Sequence, residues 1–241
     1  MDIIPLILGI ARPVRKAGAG GPVSSKGGDS QDSAAGKIPA EIKQKIFERD
    51  HFTCRCCHFQ SKKYQEVHAL NNDKTDLRDK NLITTCIFCH QCFNLEKVSE
   101  MRSGVLLWLP EIEQARLHHI ARAIYVARIS QGPVAEAARK SLDTLMARRE
   151  EVKRRLQTDD PYILATVLRD YLGDQHYERR ESKLKGVRLF PLDRRIIKEA
   201  DLEFNQFPQI LAYWRSKDGP FGKKTPPQWV SIYQTILAQT G

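Results

Sequence analysis

The sequence predicts an α+β protein in which a small cysteine-rich core of short strands precedes a mainly helical region. Two observations support this prediction. The six cysteines occur in two tight groups, at residues 54–57 and 86–92, and a β-rich stretch lies between them. After about residue 105, apolar residues instead recur every three to four positions, which is the period of an amphipathic helix.

The predicted organisation has three parts. Residues 1–37 hold an apolar segment, "IIPLILGI", and a stretch rich in Gly, Ala and Ser from residue 11 to 37. This stretch cannot bury enough apolar surface to order itself, so we interpret it as a flexible linker. Residues 38–104 form the cysteine-rich core and residues 105–241 the helical region. For the apolar segment two alternatives stay open: a short strand that returns to the domain, or a frayed terminus.

The core is expected to begin with a helix and continue with two strands. In "IPAEIKQKIFERD", Ile42 and Ile46 lie four positions apart, which predicts an amphipathic helix that ends near Asp50. "YQEVHAL" alternates and is rich in β-forming residues, so it predicts a strand. "DLRDKNLITTC" predicts a turn and a short apolar strand that leads into the second cysteine group.

Several amphipathic helices are expected after residue 105. A first helix is expected to begin at Pro110, with Glu111 and Glu113 in its first turn, and to carry an apolar stripe of Leu117, Ile120, Ala121, Ile124 and Ala127. One long helix over residues 134–156 carries a second stripe of Val134, Ala138, Leu142, Leu145, Val152 and Leu156. Asp160 is expected to cap a third helix, with Leu164, Val167, Leu168 and Tyr171 on one face. Two short helices, "FPQILAYWRS" and "TPPQWVSIYQTILAQ", place Tyr213, Trp214, Trp229 and Tyr233 in the core.

Composition narrows the class of protein. Apolar residues make up 41% and charged residues 28% of the chain, as in ordinary soluble domains. A net charge of +10 favours polyanions or acidic protein surfaces as partners. "IIPLILGI" lacks the basic flank of a secretory signal and is too short to span a bilayer. We therefore expect a reducing compartment, where cysteines serve as metal ligands more often than as disulfides.

The cysteine spacing predicts one structural zinc ion. A C-x-x-C turn supplies two ligands from one knuckle, and "CRCC" and "CIFC" are both such turns. The ligand set is open to alternatives, because Cys89 and Cys92 also form a C-x-x-C pair and Cys56 adjoins Cys57. The predicted ligands are Cys54, Cys57, Cys86 and Cys89, with Cys56 and Cys92 as spare thiols. Four thiolates fill the tetrahedron and leave no position for a reactive water.

The stretches "FERDHFTCRCCHF", "EVHA" and "NLITTCIFCHQC" resemble the zinc-containing form of the HNH nuclease fold, a core of the treble-clef type. The resemblance implies that His68 and His90 occupy positions that hold a divalent ion on the scissile phosphate. The residue after His68 is the general base in that fold, but here it is Ala69, whose methyl group accepts no proton. We therefore predict no catalytic residue and no enzymatic activity.

A second resemblance extends from about residue 37 to 195. "IFERDHFTCRCCHFQSKKYQEVHALNND", "LLWLPEIEQARLHHIARAIYVA" and "GVRLFPLDRR" are similar to the IcmJ/DotN family of type IVB secretion systems and related plasmid conjugation machines. This implies a cytoplasmic subunit of the coupling complex, held at the inner membrane through that complex. Such a subunit binds the C-terminal extension of the coupling ATPase and helps recruit substrates. In that family the zinc core is structural.

Two other hypotheses remain. A metal-dependent nuclease is disfavoured by Ala69. A nucleic-acid-binding zinc module is favoured by the basic tract over residues 179–198, although an acidic protein segment suits that tract equally well. DNA binding is therefore expected to be secondary. His118 and His119 are expected to be exposed helix residues and not ligands.

Overall fold

The computed structural model describes residues 3–12 and 37–240. The predicted linker over residues 11–37 lies almost entirely outside the described residues, so its structure is not considered further. Among the described residues, no helix combines the length and the apolar character needed to cross a membrane.

The cysteine-rich core consists of short elements wrapped around the two cysteine groups. Its elements are α1 (Ala40–Arg49), β1 (Gln65–Ala69), β2 (Leu82–Cys86), α2 (Ile87–Cys92) and α3 (Leu95–Glu100). β1 and β2 form an antiparallel hairpin in which Gln65 pairs with Cys86 and Ala69 with Leu82. The sequence predictions of α1 and of both strands are confirmed.

A buried carboxylate fastens α1 to the hairpin. Asp50 is 1% exposed and follows the last residue of α1. Its carboxylate accepts a hydrogen bond from the backbone N–H of Thr84 at 2.8 Å and one from the side chain of Arg49 at 2.9 Å. Burial raises the pKa of Asp50, but these hydrogen bonds outweigh it and leave the pKa below its usual value.

The rest of the chain is mainly helical, as the sequence predicts, but it adds two further antiparallel ladders. Its helices are α4 (Gln114–Arg128), α5 (Pro133–Ala147), α6 (Arg149–Leu156), α7 (Pro161–Thr166), α8 (Asp174–Glu178), α9 (Arg180–Lys183), α10 (Phe207–Arg215) and α11 (Pro226–Thr240). Its strands are β3 (Gly104–Trp108), β4 (Val187–Pro191), β5 (Ile196–Glu199) and β6 (Leu202–Asn205). β3 pairs with β4, and β5 pairs with β6.

The prediction of one long helix over residues 134–156 is wrong. The chain breaks at Arg148 into α5 and α6, and the two helices bury their apolar residues in different clusters: Leu145 in one and Val152 in the other. The break also lets the Arg148 carbonyl accept a hydrogen bond from the backbone N–H of Trp108 in β3, at 3.3 Å. The same carbonyl also accepts from the Val152 backbone N–H at 3.4 Å, so the segment on either side of the break contacts two clusters and the edge of β3.

Two predicted helix faces are partly wrong. On α4, the stripe is buried except for Ile120, which is 37% exposed. After α7 the chain continues as a π-helical turn, Val167–Tyr171. This wider turn shifts the phase of the side chains, so Leu168 stays buried at 2% exposure while Val167 and Tyr171 are 41% and 78% exposed. The predicted cap of α7 is confirmed, since the Asp160 carboxylate accepts from the Tyr162 backbone N–H at 2.8 Å.

One apolar cluster joins the cysteine-rich core to the helical region. It contains Phe59 and Phe88 from the core together with Tyr125, Phe190 and Trp214 from the helical region. Trp214 is 1% exposed and contacts both core rings edge-on, with centroids 5.7 Å apart in each case. Of the other predicted core aromatics, Tyr213 and Trp229 pack at the margin of this cluster. The side chain of Tyr233 lies outside the described part.

The N-terminal apolar segment returns to the domain, but it does not join a sheet. Leu8 and Ile10 are 5% and 4% exposed. The Gly9 backbone N–H donates to the Cys92 carbonyl at 2.8 Å, and the Gly9 carbonyl accepts from the Leu95 N–H at 3.1 Å. The segment therefore runs as an extended strap over the junction of α2 and α3.

Candidate metal centre

Four cysteine thiols converge at the end of the β1–β2 hairpin where β2 meets α2. Cys54 and Cys57 come from the turn before β1, Cys86 ends β2, and Cys89 lies in the first turn of α2. Their sulfur atoms all lie within 4.8 Å of one another, and all four side chains are buried. The structure therefore brings together the four residues that the sequence selects as ligands.

Local hydrogen bonds hold the two knuckles in this arrangement. The Arg55 backbone N–H donates to the Thr84 carbonyl at 2.9 Å, which ties the first knuckle to β2. The Cys86 sulfur caps α2 by accepting from the Cys89 backbone N–H at 3.4 Å. Because β2 runs directly into α2, the two cysteines at this junction point to the same side as the first knuckle.

The four thiols fit a tetrahedral metal ion. A zinc–sulfur bond of about 2.3 Å implies a sulfur–sulfur separation of about 3.8 Å across a tetrahedron. The Cys57 and Cys86 sulfur atoms are 3.7 Å apart. All six cysteines are free thiols, so no disulfide competes for these sulfur atoms. A tetrahedral four-sulfur set suits zinc or iron.

The electrostatics of the cluster favour thiolates at Cys54, Cys57 and Cys86, whereas burial and hydrogen bonding with the neighbouring thiols raise the pKa of Cys89 well above its usual range. Hydrogen bonds from Cys56 and Cys57 lower the pKa of Cys54 to about 4. Burial raises the pKa of Cys86, but hydrogen bonds from Cys54 and Cys89 and the positive charge of Arg122 more than offset it, so this pKa is also lowered. The thiolate is the form that binds a metal.

Cys56 and Cys92 lie outside the group of four, although both are buried. The Cys92 thiol donates to the Phe88 carbonyl at 3.8 Å, and burial raises its pKa well above the usual range. Hydrogen bonding with Cys54 likewise raises the pKa of Cys56. Both groups thus behave as neutral buried thiols.

His118 was expected to be exposed, and this prediction is wrong. Its side chain is fully buried, and Nδ1 lies 3.3 Å from the sulfur of Cys89. The Gln114 side-chain amide, which also pairs with the backbone of Leu189, donates to Nε2 of His118 at 2.8 Å. The ring proton is therefore on Nδ1 and is directed at the sulfur of Cys89. His119 is exposed as expected, and its ring contacts the Cys57 carbonyl at 2.7 Å.

Arg122 is a residue of the site that the sequence analysis missed. Its side chain lies against the sulfur of Cys86, inside the cluster and 1% exposed. Burial disfavours the charged form, but the thiolates, with Cys86 first, raise the pKa of Arg122 above its usual value. The signal in the sequence was a basic residue within the apolar stripe of α4, one position after Ala121.

The residues that the HNH resemblance singles out lie beside the cysteine cluster. The rings of His68 and His90 are 5.8 Å apart, and His68 stacks on Phe93 at 4.3 Å. Burial lowers the pKa of both histidines to about 3, and the charge of Arg195 contributes to the shift at His90. Both rings are therefore neutral near pH 7. Ala69 is 4% exposed and packs in a small cluster with Leu82.

His90 lines a cationic cleft of about 670 Å³. Basic side chains from separate segments face this cleft: Lys37, Lys43, Lys74, Lys97, Arg195 and Lys198. Arg195 pairs with Glu66 at 3.3 Å, whereas Lys43, Lys74 and Lys97 form no ion pair within the described residues. The cleft is thus a candidate anion-binding surface.

The fold and the site define a mixed helical and β-hairpin protein built around a buried four-cysteine cluster. No family model matches the chain. It is 34% identical over 165 residues to the type 4 apparatus protein DotN of Legionella pneumophila, and the match covers 66% of this chain and 77% of that protein. The chain therefore belongs to the IcmJ/DotN family.

Proposed function

We propose that the chain is a zinc-stabilised, non-catalytic subunit of a type IVB secretion or conjugation coupling complex. It binds the C-terminal extension of the coupling ATPase, helps recruit substrates, and is held on the cytoplasmic face of the inner membrane by that complex. The observation that carries this proposal is the similarity to a type 4 apparatus protein over most of both chains. The net charge of +10 is compatible with acidic protein partners.

The proposed role of zinc is structural. Four thiolates would complete the tetrahedron at Cys54, Cys57, Cys86 and Cys89, so the ion keeps no position for water or substrate. The order of knuckle, hairpin and helix around these cysteines supports the HNH-like, treble-clef type of core. The zinc ion would supply a fixed crosslink between the two knuckles. This small core needs the crosslink because it has few apolar residues of its own and shares its main apolar cluster with the helical region.

The proposed lack of nuclease activity follows from the side chains beside the hairpin. Ala69 offers no proton acceptor where the HNH fold places its general base. His68 is stacked on Phe93 and buried, so its ring is engaged in packing and is withdrawn from solvent.

The apolar stripe over residues 134–156 is not the surface that we propose for the ATPase. The stripe over residues 134–156 is largely covered, since Leu145 and Val152 are buried within the chain. A group of exposed apolar side chains instead lies on α7 and its π-helical turn: Tyr162, Ile163, Val167 and Tyr171 are 49%, 48%, 41% and 78% exposed. Apolar side chains that cluster on an otherwise solvated helix are typical of an interaction site.

The basic tract contributes less free charge than the sequence indicated. Arg180 donates to the Leu8 carbonyl at 2.9 Å, and Arg195 pairs with Glu66, so both are structural. Arg179 and Arg194 are exposed, and Arg194 donates only through Nε to the Arg102 carbonyl at 3.2 Å, so both can steer an acidic segment. Charge reversal at these two arginines should slow association with the ATPase more than it shortens the lifetime of the complex.

Co-purification from membranes tests the proposal. The tagged chain should retain a coupling ATPase, and a variant with Ile163→Ser and Tyr171→Ser should lose most of it. Leu202→Ser is the matched control, because Leu202 is 73% exposed but lies on β6. Absence of the ATPase from the wild-type sample would overturn the function. Its retention by the double variant would overturn only the choice of surface.

A second candidate function, nucleic-acid binding, is favoured by the cationic cleft beside His90. Binding through this cleft should fall steeply with salt, because it releases counterions from the phosphate backbone. Lys43→Glu with Lys97→Glu should weaken binding to single-stranded DNA, and Lys62→Glu, outside the cleft, should not. Tight, salt-sensitive DNA binding without a retained ATPase would favour this second function over the first.

A further inference from the structure

Arg122 is a buried cation without a carboxylate partner. Its side chain is 1% exposed, and within the described part of the chain it forms no salt bridge to an Asp or Glu and contacts the sulfur atoms of Cys57 and Cys86 instead. Its Nε and Nη1 atoms have no hydrogen-bond partner among the described residues. A lone buried guanidinium is strongly destabilising, so an anion must compensate for it.

The groups that surround Arg122 identify this anion. Nη2 lies 2.7 Å from the Cys86 sulfur and 3.7 Å from the Cys57 sulfur. The guanidinium carbon lies over two rings, 4.0 Å from the Phe59 centroid and 5.0 Å from the Phe88 centroid. Packing thus holds the guanidinium against the cysteine cluster.

We propose that Arg122 is a positioning residue whose anionic partner is the metal–thiolate centre, so that metal loading fastens α4 to the cysteine-rich core. The inference rests on the proposed zinc centre. Four singly charged thiolates around one divalent ion carry two net negative charges. The charge of Arg122 neutralises part of this excess. Without the ion, nothing holds the four sulfur atoms together at the positions that Arg122 contacts, so α4 docks less firmly.

Because α4 also contacts β4, this coupling extends to the β3–β4 ladder. The helix also carries Gln114, which pairs with the backbone of Leu189 in β4, and Tyr125, which donates to the Pro191 carbonyl at 2.7 Å. Release of α4 from the cysteine cluster would therefore loosen the contact between the core and the β3–β4 ladder. Metal binding by the four cysteines thus affects how firmly the helical region packs on the core.

The side-chain chemistry predicts a graded response to substitution. A guanidinium is planar and can stack on rings while it donates to sulfur, whereas a lysine ammonium is a compact charge on a flexible stem. Arg122→Lys keeps the charge and loses the stacking geometry. Arg122→Met keeps most of the volume and loses the charge. Arg116→Met on the same helix is the matched control, because Arg116 is exposed and pairs only with Glu113 on the surface.

The test uses the full chain loaded with Co²⁺, whose sulfur-to-metal charge-transfer band reports the thiolate centre. Arg122→Met should weaken Co²⁺ binding at least tenfold in competition with a chelator and shift this band. Arg122→Lys should recover part of the affinity, and Arg116→Met should match the wild type. Equal affinity and an unchanged band in Arg122→Met would overturn the proposal.

Hydrogen exchange on the wild-type chain keeps the proposal testable if Arg122→Met does not fold. Removal of the metal should speed exchange of the α4 backbone amides at least tenfold more than exchange of the amides of α7. Equal loss of protection in both helices, or none, would overturn the coupling of metal to α4. If the wild type binds neither Co²⁺ nor Zn²⁺, the proposed zinc centre itself fails. If it binds metal but α4 does not respond, only this inference fails.

Discussion

Nδ1 of His118 lies 3.3 Å from the sulfur of Cys89, although the two residues are 29 positions apart in the chain. His118 and Arg122 both lie on α4, a helix of the helical region, and both contact the cysteine cluster. The cluster is therefore completed by both halves of the chain.

The ligand set is tested by serine substitution. Purified protein should hold about one zinc ion per chain, because the four clustered thiols form one tetrahedral site. Cys57→Ser or Cys89→Ser should lose the metal and lower the melting temperature together, since metal binding and folding are coupled in small modules. Cys56→Ser is the control and should keep both properties. Elemental analysis and thermal denaturation measure them, and a Cys56 requirement with a dispensable Cys57 would show that the ligand set is wrong.

The hydrogen bond from His118 to Cys89 should tune metal affinity. His118→Leu should lower the affinity by about tenfold, in the range usual for outer-shell partners of metal ligands. His118→Asn should lose less, because its amide N–H can take the position of Nδ1–H. Chelator competition measures both variants. Unchanged affinity in His118→Leu would mean that this contact is packing alone.

The buried histidines predict a loss of stability in acid. The pKa of His68 and of His90 is lowered to about 3, against about 6.5 in an unfolded chain. Between these values the unfolded chain binds protons that the folded chain excludes. The free energy of unfolding should therefore be fully retained above about pH 6.5. Below about pH 5.5 it should fall by about 1.4 kcal/mol per histidine for each pH unit.

A substitution separates this effect from acid release of the metal. His68→Phe keeps a ring that stacks on Phe93 and removes one titrating group, so its denaturation profile should decline less steeply with falling pH. His176→Gln, at an exposed position on α8, should follow the wild type. Identical slopes for His68→Phe and the wild type would contradict the assignment.

The chain should not cut DNA. Incubation with plasmid or single-stranded DNA and Mg²⁺, Mn²⁺ or Ni²⁺ should give no cleavage, because Ala69 stands where a general base is required. Gel electrophoresis measures this. Metal-dependent cleavage that disappears in His68→Ala or His90→Ala would establish a nuclease in place of the proposed subunit.

The π-helical turn after α7 predicts that two of its apolar residues contribute very differently to stability. Leu168→Ala should reduce the free energy of unfolding by about 2–5 kcal/mol, because Leu168 is 2% exposed. Tyr171→Ala should change it by no more than about 0.5 kcal/mol, since Tyr171 is 78% exposed. Chemical denaturation of both variants checks this. A large cost for Tyr171→Ala would restore the uninterrupted helical face that the sequence predicted.

Features that depend on residues close in the chain followed from the sequence alone. The bounds of α1, the two hairpin strands and the cap at Asp160 were readable because helical periodicity, strand alternation and capping act over a few positions. The four clustered cysteines were selected for the same reason, since each pair lies within one C-x-x-C turn. Similarity over residues outside the cysteine groups likewise indicates the family from the sequence alone.

Other features, such as the burial of polar side chains and the break within a helix, depend on contacts between distant segments and were decided only by the tertiary structure. The pattern of apolar residues marks a face as buried, but it cannot show that a basic or imidazole side chain on that face has an anionic partner elsewhere. Arg122 and His118 are buried because their partners, Cys86 and Cys89, meet α4 only in the folded chain. The break at Arg148 has the same origin, because two separate clusters and the edge of β3 compete for one segment that is locally a good helix.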